Sequence, residues 1–217
     1  MSGISGLPKN VWLLTLAQAL ILSVNSSVVF IGSLIGKELA PMPGLATFPV
    51  ASLVVGTAAS TVPVTLLMRR FGRKASFLSI LIYSVLIAFI ALYSVMTQSF
   101  LGFCISTFLF GVTSATGMQF RFAAMESVSN DLVPKAASTV LLGGIIAAFI
   151  GPEIALLGKD LLTIDYTGSF LLLAGLFSLC FMVLLAFKNP VVEKSEVISP
   201  KKSQDNQFYG WRLQVLR

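Results

Sequence analysis

Histidine is absent from the 217 residues, and the chain holds only two cysteines, Cys104 and Cys180. Without histidine, the imidazole general base, the commonest zinc ligand and the Ser-His nucleophile pair are all excluded. Both cysteines lie inside apolar runs, which makes neither a disulfide framework nor metal-ligand spacing. No Gly-x-x-x-x-Gly-Lys-Ser/Thr phosphate loop occurs. Charge is scarce too. Asp, Glu, Lys and Arg make up 11% of the chain, against about 25% in soluble domains. A chain so poor in charge cannot cover a water-facing surface. With 56% hydrophobic residues, its outer surface is expected to face lipid.

The scarce charges are unevenly placed. Residues 39–68 carry none, and neither do residues 75–120. Between them stands Arg69-Arg70-Phe71-Gly72-Arg73-Lys74, with four cations in six residues. A short basic knot between apolar runs of that length marks a cytoplasmic turn of a membrane protein. The net charge of +6 follows from this bias, so it does not point to nucleic acid, and no basic patch is interleaved with exposed aromatics.

A helix needs about 20 apolar residues to cross the bilayer core, and the runs divide accordingly. Six spans are predicted, at about 11–36, 45–68, 75–96, 100–119, 136–157 and 167–187. The first run is too long for a signal-peptide core and is read as a retained span. Residues 1–10 precede the bundle, and residues 188–217 form a polar tail of mixed charge. In the second span Gly56 and Ser60 make a small-x-x-x-small pair that allows close helix approach, while Pro49 and Pro63 are positions for a kink. Thr97-Gln98-Ser99 is the only polar break in residues 75–120 and is read as a tight turn.

Six spans place both termini on one side. With the basic knot in the cytoplasm, thirteen of the fifteen Lys and Arg residues fall inside, and only Lys37 and Lys159 fall outside. Leaving out the tail, seven still stand against two, so the orientation does not rest on the tail. The expected location is the plasma or inner membrane.

Polar side chains inside spans are costly and usually face a bundle interior or a water-filled cavity. Gln18 and Asn25 are seven apart and share one face of the first span. They line a pathway or hydrogen-bond between helices. Gln119 and Arg121 sit at the cytoplasmic end of the fourth span. Arg121 is either a pathway residue or an end anchor that snorkels to the headgroups. Glu153, beside Gly151-Pro152, either reaches the outer interface or is held in a cavity, where desolvation would raise its pKa and suit proton coupling. The Met and Phe residues of the sixth span are read as core or lipid-facing.

The basic knot, after the second span, resembles the signature loop of the major facilitator superfamily, Gly-x-x-x-Asp-Arg-x-Gly-Arg-Lys. Arg70, Gly72, Arg73 and Lys74 match in register, whereas Thr65 stands in place of the Gly and Arg69 in place of the Asp. The family uses that acid as a latch on the cytoplasmic face. In the fifth span Gly143, Ala147, Gly151 and Pro152 are similar to the antiporter pattern Gly-x-x-x-Gly-x-x-x-Gly-Pro. In the fourth, Gly111 and Ala115 fit Arg-x-x-Gln-Gly-x-x-x-Ala, but Thr107 and Phe110 replace its Arg and Gln. The missing arginine weighs against a proton-coupled drug antiporter.

This resemblance implies an all-α membrane protein of six helices in two inverted three-helix repeats, the N-terminal half of a twelve-helix fold. The implied activity is secondary transport of a small solute by alternating access, coupled to an ion. The partners implied are the lipid bilayer, the solute, and a second half or a second copy of the chain. No cofactor or metal is expected. The alternatives are a non-transporting six-span assembly partner, an inactive truncated product, or a membrane-embedded enzyme, the last disfavoured because no paired acids stand at catalytic spacing. A polypeptide of these 217 residues is expected to insert without transporting by itself.

Overall fold

The computed structural model describes residues 7–188. The tail after Lys188 and residues 1–6 therefore lie outside the described residues. Six helices follow one another: α1 (Lys9–Leu39), α2 (Phe48–Phe71), α3 (Arg73–Met96), α4 (Phe100–Met125), α5 (Val133–Leu157) and α6 (Thr167–Leu185). No strand occurs among the described residues. All six are long and apolar enough to cross a membrane. Even α6, with 19 residues, is about 28 Å long at 1.5 Å per residue.

The helices overrun the apolar runs at the basic end. α2 continues through Arg69 and Arg70, whose positive charges suit a helix C-terminus. α4 continues to Met125, so Arg121 is helical. Pro49 does not kink α2. It occupies the first turn, where its missing N–H is harmless. Pro63 and Pro152 do lie inside helices. At Pro152 the carbonyl of Ala148 consequently has no i+4 donor.

A single residue separates α2 from α3. Gly72 has φ 80° and ψ 162°, a conformation open to glycine and strained for any residue with a Cβ. This is why the basic knot needs a glycine where it turns. At the other end, Gln98 takes a positive φ of 54° and Ser99 caps α4 by accepting from the Gly102 N–H at 3.2 Å. In the α4–α5 loop, the Ser129 side chain and then a backbone hydrogen bond hold the Asp131 carboxyl below its usual range.

The most extensive pairings are α1 on α5, α2 on α4 and α3 on α6. Exchanging the first three helices for the last three carries α1–α5 onto α4–α2 and α3–α6 onto itself. Successive spans alternate in direction, so the exchange relates helices of opposite direction. The bundle is thus two three-helix units related by inversion.

Hydrophobicity does not drive helices together in lipid; packing and interhelical hydrogen bonds do. Both appear at the two main crossings. A Cβ added to Gly143 would stand 2.6 Å from the Thr15 carbonyl oxygen, and one on Gly151 would stand 2.7 Å from that of Ser23. The Ser27 hydroxyl reaches the Gly151 carbonyl at 2.6 Å. On the other crossing, Gly56 and Ser60 of α2 are buried, with Gly56 against Phe108 and Gly111 of α4. The α4–α6 contact is aromatic. Phe103 meets Phe170 edge to face at 5.9 Å, and Phe110 stacks on Phe177 at 6.0 Å. The buried phenylalanines of α6 are therefore core, whereas Met182 is exposed.

Candidate functional site

The α1 helix carries a stripe at helical spacing: Gln18, Leu22, Asn25, Val29 and Ser33. Exposure increases along it, from buried Gln18 through half-buried Leu22 and Asn25 to exposed Val29 and Ser33. α5 packs mainly beside this stripe, on Thr15, Ala19, Ser23 and Ser26, and reaches it at Leu22, whose Cδ1 would stand 3.1 Å from a Cβ on Gly144. Gln18 is only 5% exposed, and its Oε1 has no hydrogen-bond partner.

α4 faces this stripe. Asn25 borders a recess with Ile21, Val24 and Val28 of α1 and with Phe110, Thr113 and Ser114 of α4. Thr113 is engaged on its far side by the Ser84 hydroxyl of α3, at 2.5 Å. Ser114 and Arg121 are seven apart and share a face of α4. Arg121 is half-buried, with its guanidinium 5.1 Å from the centre of the Phe122 ring. Asn25 therefore lies between α1 and α4, with Gln18 on its face of α1 and Arg121 on the Ser114 face of α4.

The other two polar candidates lie elsewhere. Gln119 turns to α2, where its Nε2 donates to the Thr65 hydroxyl at 3.2 Å. Thr65 is the residue in place of the signature glycine. Glu153 is exposed on α5, so this bundle does not enclose its carboxylate. Gly143, Gly151 and Ala147 form the buried stripe that receives α1. Pro152 borders a groove with Ser26, Val29, Phe30, Ser33 and Leu34 of α1. Thr107 is buried and donates within its own helix, to the Cys104 carbonyl at 2.9 Å.

The basic knot braces three helix ends. Arg73, at the start of α3, forms a two-pronged ion pair with Glu126 at the end of α4, its Nε 2.6 Å from Oε2. A cation at a helix N-terminus and an anion at a C-terminus each oppose the helix dipole; paired, they neutralise one another. Lys74 Nζ donates to the Leu185 carbonyl at the end of α6, at 2.6 Å. Arg70 lies over the Phe71 ring at 5.4 Å. Nearby, Asn10 Nδ2 donates to the Lys188 carbonyl at 2.9 Å, tying the start of α1 to the chain beyond α6.

Glu126, Thr113 and Ser114 were not singled out from the sequence as site residues, and Thr65 was noted only as a departure from the signature loop. The seven-residue spacing of Ser114 and Arg121 was a signal for the second polar face, as was the charge of Glu126 for a partner of the knot. Among the described residues no group of three His, Cys, Asp or Glu side chains could hold a metal.

Known proteins are similar to this chain in sequence. Residues 12–215 match the Major Facilitator Superfamily. The riboflavin transporter RfnT of Brucella anthropi is 34% identical over 187 residues, which is 86% of this chain and 47% of that protein. Two uncharacterized MFS-type transporters of Bacillus subtilis also match. YddS is 22% identical over 85% of this chain and 44% of its own length, and YdeG 25% over 75% and 39%. The chain spans about half the length of the curated relatives it matches, or less. Six membrane-length helices in two inverted units, a basic loop that braces their ends, and a match across most of its length lead to one conclusion: this multi-pass membrane protein belongs to the Major Facilitator Superfamily of transporters.

Proposed function

We propose that this chain forms one six-helix wall of a secondary transporter that takes up riboflavin or a closely related flavin by alternating access, coupled to an ion gradient and without enzymatic chemistry. The observation that carries the substrate is the 34% identity to a riboflavin transporter over 86% of this chain. The polar stripe supports the transport role: a face bearing half-buried Asn25 and exposed Ser33 is poorly solvated by lipid. In this reading Asn25 and Arg121 face the pathway, Gln18 lies buried behind Asn25 on the same face of α1, and Gln119 holds α4 to α2 through Thr65. Glu153 and the exposed side of α5 meet the opposite wall, supplied by a second half or a second copy.

The experiment is flavin uptake. The gene encoding this chain is expressed in cells that cannot make riboflavin, and accumulation of external riboflavin is followed by its fluorescence, with and without a protonophore. Growth at low external riboflavin with protonophore-sensitive accumulation is expected. Accumulation no greater than in cells with empty vector, with the protein present in the membrane, overturns the flavin reading. Accumulation indifferent to ion gradients removes the coupling alone.

A further inference from the structure

The recess beside Asn25 has fixed walls. Phe110 is stacked on Phe177 at 6.0 Å, and the Thr113 hydroxyl is tied to that of Ser84 at 2.5 Å. Two polar side chains lining it are left over: neither Asn25 nor Ser114 makes a side-chain hydrogen bond among the described residues. Ser114 differs in this from its neighbours on α4, since Ser106 and Thr116 each donate to the carbonyl one turn back at 2.8 Å. Ser114 is 6% exposed, so its hydroxyl depends on what enters the recess. Of the residues around the recess only Asn25 is not buried. The recess therefore meets the outside of the bundle at Asn25, on the face assigned above to the pathway.

Size, charge and hydrogen-bonding capacity decide what fits. The space is about 10 Å³, roughly what one water-sized oxygen needs, so a ring system is excluded. No charged side chain lines it, and a carboxylate, phosphate or ammonium placed there would be desolvated without a counter-charge. The Asn25 amide both donates and accepts, and so does the Ser114 hydroxyl. The complement of two such groups is a neutral group that donates and accepts at one atom, which is a hydroxyl. That chemistry has two sources, a hydroxyl of the solute or a water molecule.

We propose that the recess between Asn25 and Ser114 takes one hydroxyl of the transported solute. In riboflavin the hydroxyls are carried by the ribityl chain. The assignment thus rests on the flavin reading above, and it makes Asn25 and Ser114 specificity-determining residues for that chain. The ring system is left to other contacts.

The test is competition against riboflavin uptake by cells expressing the whole gene that encodes this chain. The competitors are the monodeoxy riboflavins, each lacking one ribityl hydroxyl. One of them is expected to compete at least about tenfold more weakly than riboflavin, because it leaves two polar groups of a buried site unpaired. Ser114→Ala removes the hydroxyl with little change of volume, and Asn25→Leu keeps the shape of the side chain without its amide. Each is expected to bring that analogue to within about threefold of riboflavin, chiefly through loss of riboflavin affinity. A merely structural role would not move that ratio. If riboflavin is taken up and every analogue competes equally well in the unmutated protein, the recess holds water only, and the assignment is overturned while the flavin reading stands. That comparison needs no variant and decides even if both fail to insert. A weak analogue whose ratio survives in both variants places the hydroxyl elsewhere and also overturns the assignment. If no flavin is taken up, both readings fall.

Discussion

Gly111 of α4 lies against the backbone of Gly56 on α2: a Cβ there would stand 2.2 Å from the Gly56 carbonyl carbon. A Cβ on Gly56 would in turn stand 2.0 Å from the carbonyl oxygen of Phe108. Both obstacles are backbone, which cannot rotate away. Gly111→Ala is therefore expected to force α2 from α4 and destabilise the bundle by about 1–3 kcal/mol. Gly175→Ala is the control, since nothing lies within 4 Å of a Cβ at Gly175. Thermal unfolding of the detergent-purified protein measures both. Equal melting temperatures for Gly111→Ala and Gly175→Ala would contradict the close crossing.

The Arg73–Glu126 pair makes a prediction about charge order. Its side chains are 17% and 46% exposed, so screening limits its worth to about 1 kcal/mol. Glu126→Gln leaves Arg73 facing the α3 dipole without its partner and is expected to lower stability by that amount. The exchange Arg73→Glu with Glu126→Arg keeps the pair and places each charge at the helix end that favours it. It is expected to be at least as stable as the native protein, read from the same melting curves. A double variant less stable than Glu126→Gln alone would show that the pair does not hold these ends together.

Gly72 supplies a backbone test of the basic loop. Its φ of 80° costs a residue with a Cβ about 1–3 kcal/mol. Gly72→Ala is expected to lower the melting temperature although the residue is only half-buried and all four cations of the knot remain. An unchanged melting temperature would mean that α2 and α3 can be joined by another conformation.

The orientation can be read by labelling. In a background with Cys104 and Cys180 replaced, Asp160→Cys is expected to react with an impermeant thiol reagent added to intact cells, and Arg73→Cys only after the cells are opened. Asp160 is exposed in the α5–α6 loop, so access to the reagent is decided by the side of the membrane. Labelling of Arg73→Cys in intact cells would reverse the arrangement.

What the sequence by itself determined was the solvent, the helix count and the basic end. In hydrocarbon each backbone polar group must be satisfied within its own segment, so the length of each apolar run translates directly into a helix. The seven-residue spacing likewise put Gln18 and Asn25 on one face before any partner was known. Spacing along one helix says nothing of what stands across from it. Gly56 and Ser60 announced a close approach, but only the tertiary structure decided that α4 approaches. The same holds for Arg73 with Glu126, fifty-three positions apart, and for Thr65 with Gln119. Those pairings depend on how helices cross and in what register. Lipid solvates every apolar face about equally, so the choice falls to close packing at small residues and to a few hydrogen bonds between helices, which exist only once all six are in place.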